Sequence, residues 1–145
     1  MILHASCVVH CGRGLLILGP SGSGKSTLAL EMMARGSGLV ADDRTLLRRD
    51  GGRLIADAPT AIRGRIEARG IGILTARPCG PAPLALAVDL ARPEPLRLPP
   101  HRRIVLLDVP LDLVLGQGRD HLASALLQYL DGGRADTDDS GQCDL

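Results

Sequence analysis

Aromatic side chains are nearly missing from these 145 residues: Tyr129 stands alone, with no Trp and no Phe. A platform that stacks nucleic-acid bases needs aromatic faces, so this composition argues against one. Charge of one sign is missing as well. The formal net charge is +1, too small to gather nucleic acid or an anionic membrane. Lysine is almost absent; every basic residue is an arginine except Lys25. The cysteines, Cys7, Cys11, Cys79 and Cys143, form no CxxC and no paired spacing. No disulfide framework is read, and reduced thiols in an intracellular setting are expected. No apolar run approaches the ~20 residues of a membrane span. The start, Met1-Ile2-Leu3-His4, lacks the basic and apolar regions of a leader. The expectation is a soluble cytoplasmic protein with no nucleic-acid or membrane partner. Its length suits one domain with a core of Leu, Ile, Val and Ala.

What is present alternates between short apolar runs and turn residues. Leu15–Leu18 reads as a buried strand ending at Gly19. A helix is predicted from Lys25 to Arg35, with Leu28, Leu30, Met32 and Met33 on its apolar side and Gly36 as its stop. Leu39–Ala41 is the next buried strand. Strand, helix and strand make one crossover unit, the usual opening of an α/β fold. Leu46 to Ala56 predicts a hairpin turning at Asp50-Gly51-Gly52. Ile71–Ala76 and Leu84–Leu90 are strand candidates, separated by a loop at Pro78, Gly80, Pro81 and Pro83. Ala91–Pro100 is proline-rich and read as irregular. Arg103–Val109 is a late strand. His121–Leu130 is a helix with Leu122, Leu126, Leu127 and Leu130 at helical spacing. From Asp131 to Leu145 the chain loses its apolar anchors, and a disordered acidic tail is expected after a domain of residues 1–130. No internal repeat is seen.

The strongest signal is Gly19-Pro20-Ser21-Gly22-Ser23-Gly24-Lys25-Ser26, a full P-loop (Walker A) pattern, with Thr27 next in line. Its glycines permit backbone angles that turn successive N–H groups toward one anion. The following helix adds its positive dipole end. Lys25 reaches the β- and γ-phosphates of a nucleoside triphosphate such as ATP, and the Ser26 hydroxyl ligates Mg2+. A chance glycine-rich loop is the plain alternative, and the flanking strand and helix weigh against it.

Asp42-Asp43 follows the next strand. Alternation along a strand points one carboxylate of the pair at the phosphates, there to hold Mg2+ or to accept a proton from an attacking hydroxyl. A solvated turn pair is the alternative. His4, Cys7, His10 and Cys11 could suggest a metal. On a strand, however, His4 and His10 share one face while Cys7 and Cys11 share the other, which splits the set.

In order, His4, the P-loop, Leu39-Val40-Ala41-Asp42-Asp43 and Ile66-Glu67-Ala68-Arg69-Gly70-Ile71-Gly72-Ile73-Leu74 resemble the catalytic domain of HPr kinase/phosphorylase. The last two stretches are similar to the family's "VADD" strand and "LEIRGLGII" signature. The resemblance covers His4 to about Ala76. It implies a single α/β domain, the P-loop nucleotide-binding type shared by HPr kinase and PEP carboxykinase. It implies ATP and Mg2+, and transfer of the γ-phosphate to a serine of HPr, a carrier protein of the phosphotransferase system. By position, Asp42 and Asp43 supply the base with help from His4. Glu67 joins Ser26 and Asp42 around magnesium, while Lys25 keeps its phosphate role. Arg97 is a loose match to a later family arginine. Tight packing alone is the plain alternative for Ile66–Leu74, with Arg69 merely paired to a carboxylate.

The sequence has no segment like the family's "PVRPGRN", tied to the reverse reaction, so phosphorylase activity lacks sequence support. It also starts almost at His4, where family members usually carry a further N-terminal domain. Family members are often hexameric, so a homo-oligomer is among the implied partners. Two other functions compete: a nucleotide-binding regulatory protein with little turnover, and a small-molecule P-loop kinase.

Overall fold

Alternation of apolar side chains dictates a sheet with two different neighbours. Along Leu15-Leu16-Ile17, the outer two residues pack with the helices and the middle one packs on the opposite face. In the computed structural model, which describes residues 1–136, this strand is β3 (Arg13–Leu18). It lies inside a nine-stranded mixed sheet. The preceding strands are β1 (Ile2–Leu3) and β2 (Ala5–His10). Helix α1 (Lys25–Met33) leads to β4 (Gly38–Ala41), and β5 (Thr45–Asp50) and β6 (Arg53–Asp57) form the hairpin expected around Gly51. A 3-10 turn (Thr60–Ile62) precedes β7 (Arg65–Ala68) and β8 (Gly72–Thr75). Then come β9 (Ala82–Asp89), β10 (Arg102–Leu106), β11 (Val109–Leu115) and α2 (Leu122–Gly132).

The crossover from β3 through α1 to β4 is present, but the two strands are not neighbours. β2 runs between them, antiparallel to both. β9 lies on the other side of β3, parallel to it. The far edge of β9 is shared: Ala82 and Pro83 pair with β6, and residues 87–89 pair with β11. Helices α1 and α2 cover one face with Leu28, Met32, Leu126 and Leu130. The β5–β6 and β10–β11 hairpins close over the other with Leu47, Leu54, Val109 and Leu111. Each fully buried Leu or Met contributes about 1.5–3 kcal/mol relative to an exposed one. These contacts therefore substitute for the missing aromatics. The architecture is mixed α/β, as expected, with more strand than the sequence pattern indicated.

Several expectations need correction. The late strand is a hairpin, β10–β11, not one strand over Arg103–Val109. Its turn sits at Leu107 (φ 49°) and Asp108 (φ 62°), a left-handed pair without the glycine that would have announced it. The strand expected over Ile71–Ala76 is present as β8, the exposed arm of the β7–β8 hairpin, with Ile71 and Ile73 at 78% and 69% exposure. His4 lies between β1 and β2 rather than on a strand. The expected tail does not start unstructured at Asp131, since α2 runs to Gly132 and the Arg134 guanidinium donates to the carbonyls of Pro99 and Pro100. The rest of the expected tail, 137–145, lies outside the described residues.

Gly64 sets the β7–β8 hairpin beside the site. It has φ 73°, and an added Cβ would stand 2.7 Å from the Ala76 carbonyl oxygen. Its own carbonyl accepts from the Ala76 N–H at 2.8 Å. Gly64→Ala therefore combines a left-handed backbone cost with a backbone clash, and a loss of about 1–3 kcal/mol is expected in urea unfolding.

Candidate phosphate-binding site

Gly24 caps α1 with φ 98° and without any side-chain hydrogen bond, and the first turn carries no acidic residue. The helix thus starts with its backbone N–H groups free of side-chain caps, an arrangement suited to an anion. Gly22 is also left-handed (φ 83°). Gly19 is required for another reason. A Cβ there would run into the Ser23 hydroxyl and come within 3.3 Å of the Leu90 Cβ. Lys25 is buried, and its ammonium donates to the carbonyls of Gly19 and Pro20 at 2.8 and 3.1 Å. The only lysine of the chain is therefore held inside the loop.

Asp42 ends the neighbouring strand and is the hub of the site. Its Oδ1 accepts from the hydroxyls of Ser26 at 2.6 Å and Ser6 at 2.9 Å; its Oδ2 accepts from the Glu67 N–H at 3.0 Å. Three donors around one buried carboxylate fix its orientation in the site. Asp43 leaves the strand at φ 67°. Its N–H donates to Ser6 Oγ at 3.1 Å, and its carboxylate lies 2.7 Å from His4 Nε2. The side chains of His4 and Asp43 are 48% and 58% exposed, so an incoming group can reach the pair.

Both aspartates line one cavity of about 370 Å3, against the expectation that alternation would admit one. The reason is local. Both residues lie past the end of β4, outside strand alternation, and the left-handed Asp43 turns the chain. Ser21, Gly22, Gly24, Lys25, Ser26, Thr27, Glu67 and Arg69 share the cavity. Thus the structure gathers the loop, Asp42, Asp43 and Glu67, with His4 joined through Asp43.

Arg97 is not brought in. It is exposed in the loop after β9 and does not line the cavity. Arg69 lines the cavity instead, and among the described residues it has no carboxylate partner. Ser6 was missed by sequence reasoning. Its signal was a hydroxyl inside the apolar run Ala5–Val9, where burial demands a partner. Among the described residues no helix is long and apolar enough to cross a membrane.

The residues present fit a triphosphate with a divalent cation. The glycine-rich loop offers backbone donors, Lys25 a cation, and Ser26 with Asp42 two oxygen donors in contact with each other. Fold and cavity together define a mixed α/β domain in which a helix N-terminus faces Asp42 and Asp43 after β4 and Glu67 on β7, strands of two separate sheets.

The family model for the HPr Serine kinase C-terminal domain matches residues 1–79, and the chain belongs to that family. It is 51% identical over 73 residues to the HPr kinase/phosphorylase of Caldanaerobacter subterraneus subsp. tengcongensis, covering 50% of this chain and 24% of that protein. It is 46% identical over 72 residues to the HPr kinase/phosphorylase of Clostridium botulinum, with the same coverage. The chain thus matches about a quarter of the length of these curated relatives. The structure of the Hpr(Ser) kinase/phosphatase from Coxiella burnetii superposes with a TM-score of 0.78 at 27% identity, covering 90% of this chain and 88% of that one.

Proposed function

We propose that this chain is an ATP-dependent protein serine kinase of the P-loop type, acting on an HPr-like phosphocarrier protein. The observation that carries the reading is the single cavity in which the glycine-rich loop, Lys25 and Ser26 face Asp42, Asp43 and Glu67. ATP is the phosphoryl donor. Its phosphates lie along the loop N–H groups, with the Lys25 ammonium exchanging its carbonyl contacts for the β- and γ-phosphates. Ser26, Asp42 and Glu67 would hold magnesium, which would supply charge neutralisation. Arg69 adds positive charge at the cavity wall.

Asp43 is the base of this reading and His4 its positioning partner. The acceptor serine gives its proton to the Asp43 carboxylate while its oxygen bonds to the γ-phosphorus. The bond from phosphorus to the ADP oxygen breaks, and ADP leaves. The exposed position of the His4–Asp43 pair suits an acceptor presented by a protein surface. So does the exposed Ile73, which lines a second recess with Asp42, Asp43 and Glu67. A small metabolite would need an enclosing pocket.

The deciding experiment incubates the protein with Mg2+, γ-labelled ATP and an HPr-like carrier. Acid-stable label on a carrier serine is the expected result. Tight ATP binding with no label on the carrier would replace this reading with a regulatory nucleotide-binding role. The relatives' names pair the kinase with a phosphorylase or a phosphatase. Inorganic phosphate is therefore added in a second arm, where no removal of the label is expected.

A further inference from the structure

The β2–β3 turn lies at the opposite end of β3 from the glycine-rich loop, where no role has been assigned. His10 and Arg13 close the hairpin, and the two residues between them, Cys11 (φ 51°) and Gly12 (φ 76°), are both left-handed. Such a turn favours Asn, Asp or Gly at its first position, and a cysteine there carries a backbone cost. The turn removes Cys11 from strand alternation and brings its sulfur to the side of His10. Asp131, in the last turn of α2, completes a group. The His10 Nε2, Cys11 Sγ and Asp131 carboxylate atoms all lie within 4.8 Å of one another.

We infer that His10, Cys11 and Asp131 form a binding site for a zinc-like divalent transition metal, separate from the magnesium site. Donor atoms at about 2.0–2.3 Å around a tetrahedral ion lie about 3.3–3.8 Å apart. Asp131 Oδ1 lies 3.8 Å from Cys11 Sγ and 3.9 Å from His10 Nε2, so a small contraction closes the site. Without an ion these spacings give only a weak thiol hydrogen bond and a long ion pair. Imidazole, thiolate and carboxylate together suit zinc, with water in the fourth position, and not magnesium.

The electrostatics of α2 point the same way. Asp131 adds negative charge at the helix end that is already negative, and the last turn has no basic residue. Arg13 does approach, but its guanidinium donates to the main-chain carbonyls of Leu130 and Asp131 at 2.6 and 3.2 Å. The carboxylate is left to His10 and Cys11. An ion here ties the β2–β3 turn to the end of α2, and its binding displaces the thiol proton to solvent.

The test titrates the whole protein with ZnCl2, and separately with CoCl2, in excess Mg2+ that fills the oxygen-donor site. One equivalent of Zn2+ is expected to bind and raise Tm. Cobalt is expected to show a thiolate charge-transfer band, and zinc to shield Cys11 from alkylation as read by mass spectrometry. Cys11→Ser lies on an exposed turn and leaves the fold intact. It should remove the band and weaken zinc at least tenfold, and Asp131→Asn should also weaken it. Absence of the band, or zinc affinity unchanged in Cys11→Ser, overturns the proposal. A band that survives Cys11→Ser would come from one of the other three thiols, Cys7, Cys79 or Cys143, and would likewise overturn the proposal.

Discussion

Lys25→Met is expected to lower phosphoryl transfer by about a hundred- to a thousand-fold, the usual loss when one aligned donor to the developing charge is removed. Methionine keeps the length of the side chain and suits the first turn of α1, so the helix should persist. What disappears is the only ammonium in the site. In the structure it bonds the Gly19 and Pro20 carbonyls, and those oxygens lie in a loop open to water in the variant. Tm should therefore change little while kcat/KM collapses. Steady-state kinetics beside a melting curve separate the two. Equal losses of Tm and activity would mean that Lys25 mainly holds the loop, and the phosphate role would fail.

The second large effect is a contrast between adjacent residues. Asp43→Asn should reduce kcat by about a hundred- to ten-thousand-fold, the range for a missing general base, with nucleotide affinity and Tm nearly unchanged. Its side chain is exposed and, among the described residues, bonded only to His4. Asp42→Asn should behave differently. Asp42 is buried and accepts from two hydroxyls and one N–H. An amide has a single acceptor oxygen, and its NH2 would face donors. About 1–3 kcal/mol of stability should be lost through the mismatch, together with the dependence of nucleotide binding on Mg2+. Isothermal titration of ATP with and without Mg2+, run beside urea unfolding, reads both. If Asp43→Asn keeps its kcat and Asp42→Asn loses only kcat, the roles are reversed.

The sequence was informative where one residue type has one job. Gly22 and Gly24 are left-handed because the loop needs it, and Lys25 and Ser26 stand where the motif put them. The Asp50-Gly51-Gly52 turn was legible for the same reason. Legibility ended where position depends on tertiary pairing. No local pattern says that β2 inserts between β3 and β4, or that the chain would leave β4 before Asp42 and turn at a left-handed Asp43, bringing both to one cavity. The turn at Leu107 and Asp108 was hidden because non-glycine residues occupy its left-handed positions. Arg97 was chosen from a loose three-residue match, and Arg69 reaches the cavity because the β7–β8 hairpin folds beside the phosphate loop. The metal-like group at His10 was dismissed on strand alternation, which Cys11 escapes in the turn.

The family match ends at residue 79, and β9 starts at Ala82. All the residues of the candidate phosphate site lie in the matched half, but the strand that flanks β3 on the side away from β2 does not. β9 pairs with Gly14 through Leu18, and the Leu90 N–H caps this edge by donating to the Leu18 carbonyl just before the phosphate loop. During synthesis the chemistry of the site emerges first and its support arrives later. Until Asp89 and Leu90 are made, β3 presents an open apolar edge, the kind that pairs with other chains. The second half of the chain, beyond the family match, is thus what makes the first half a usable fold.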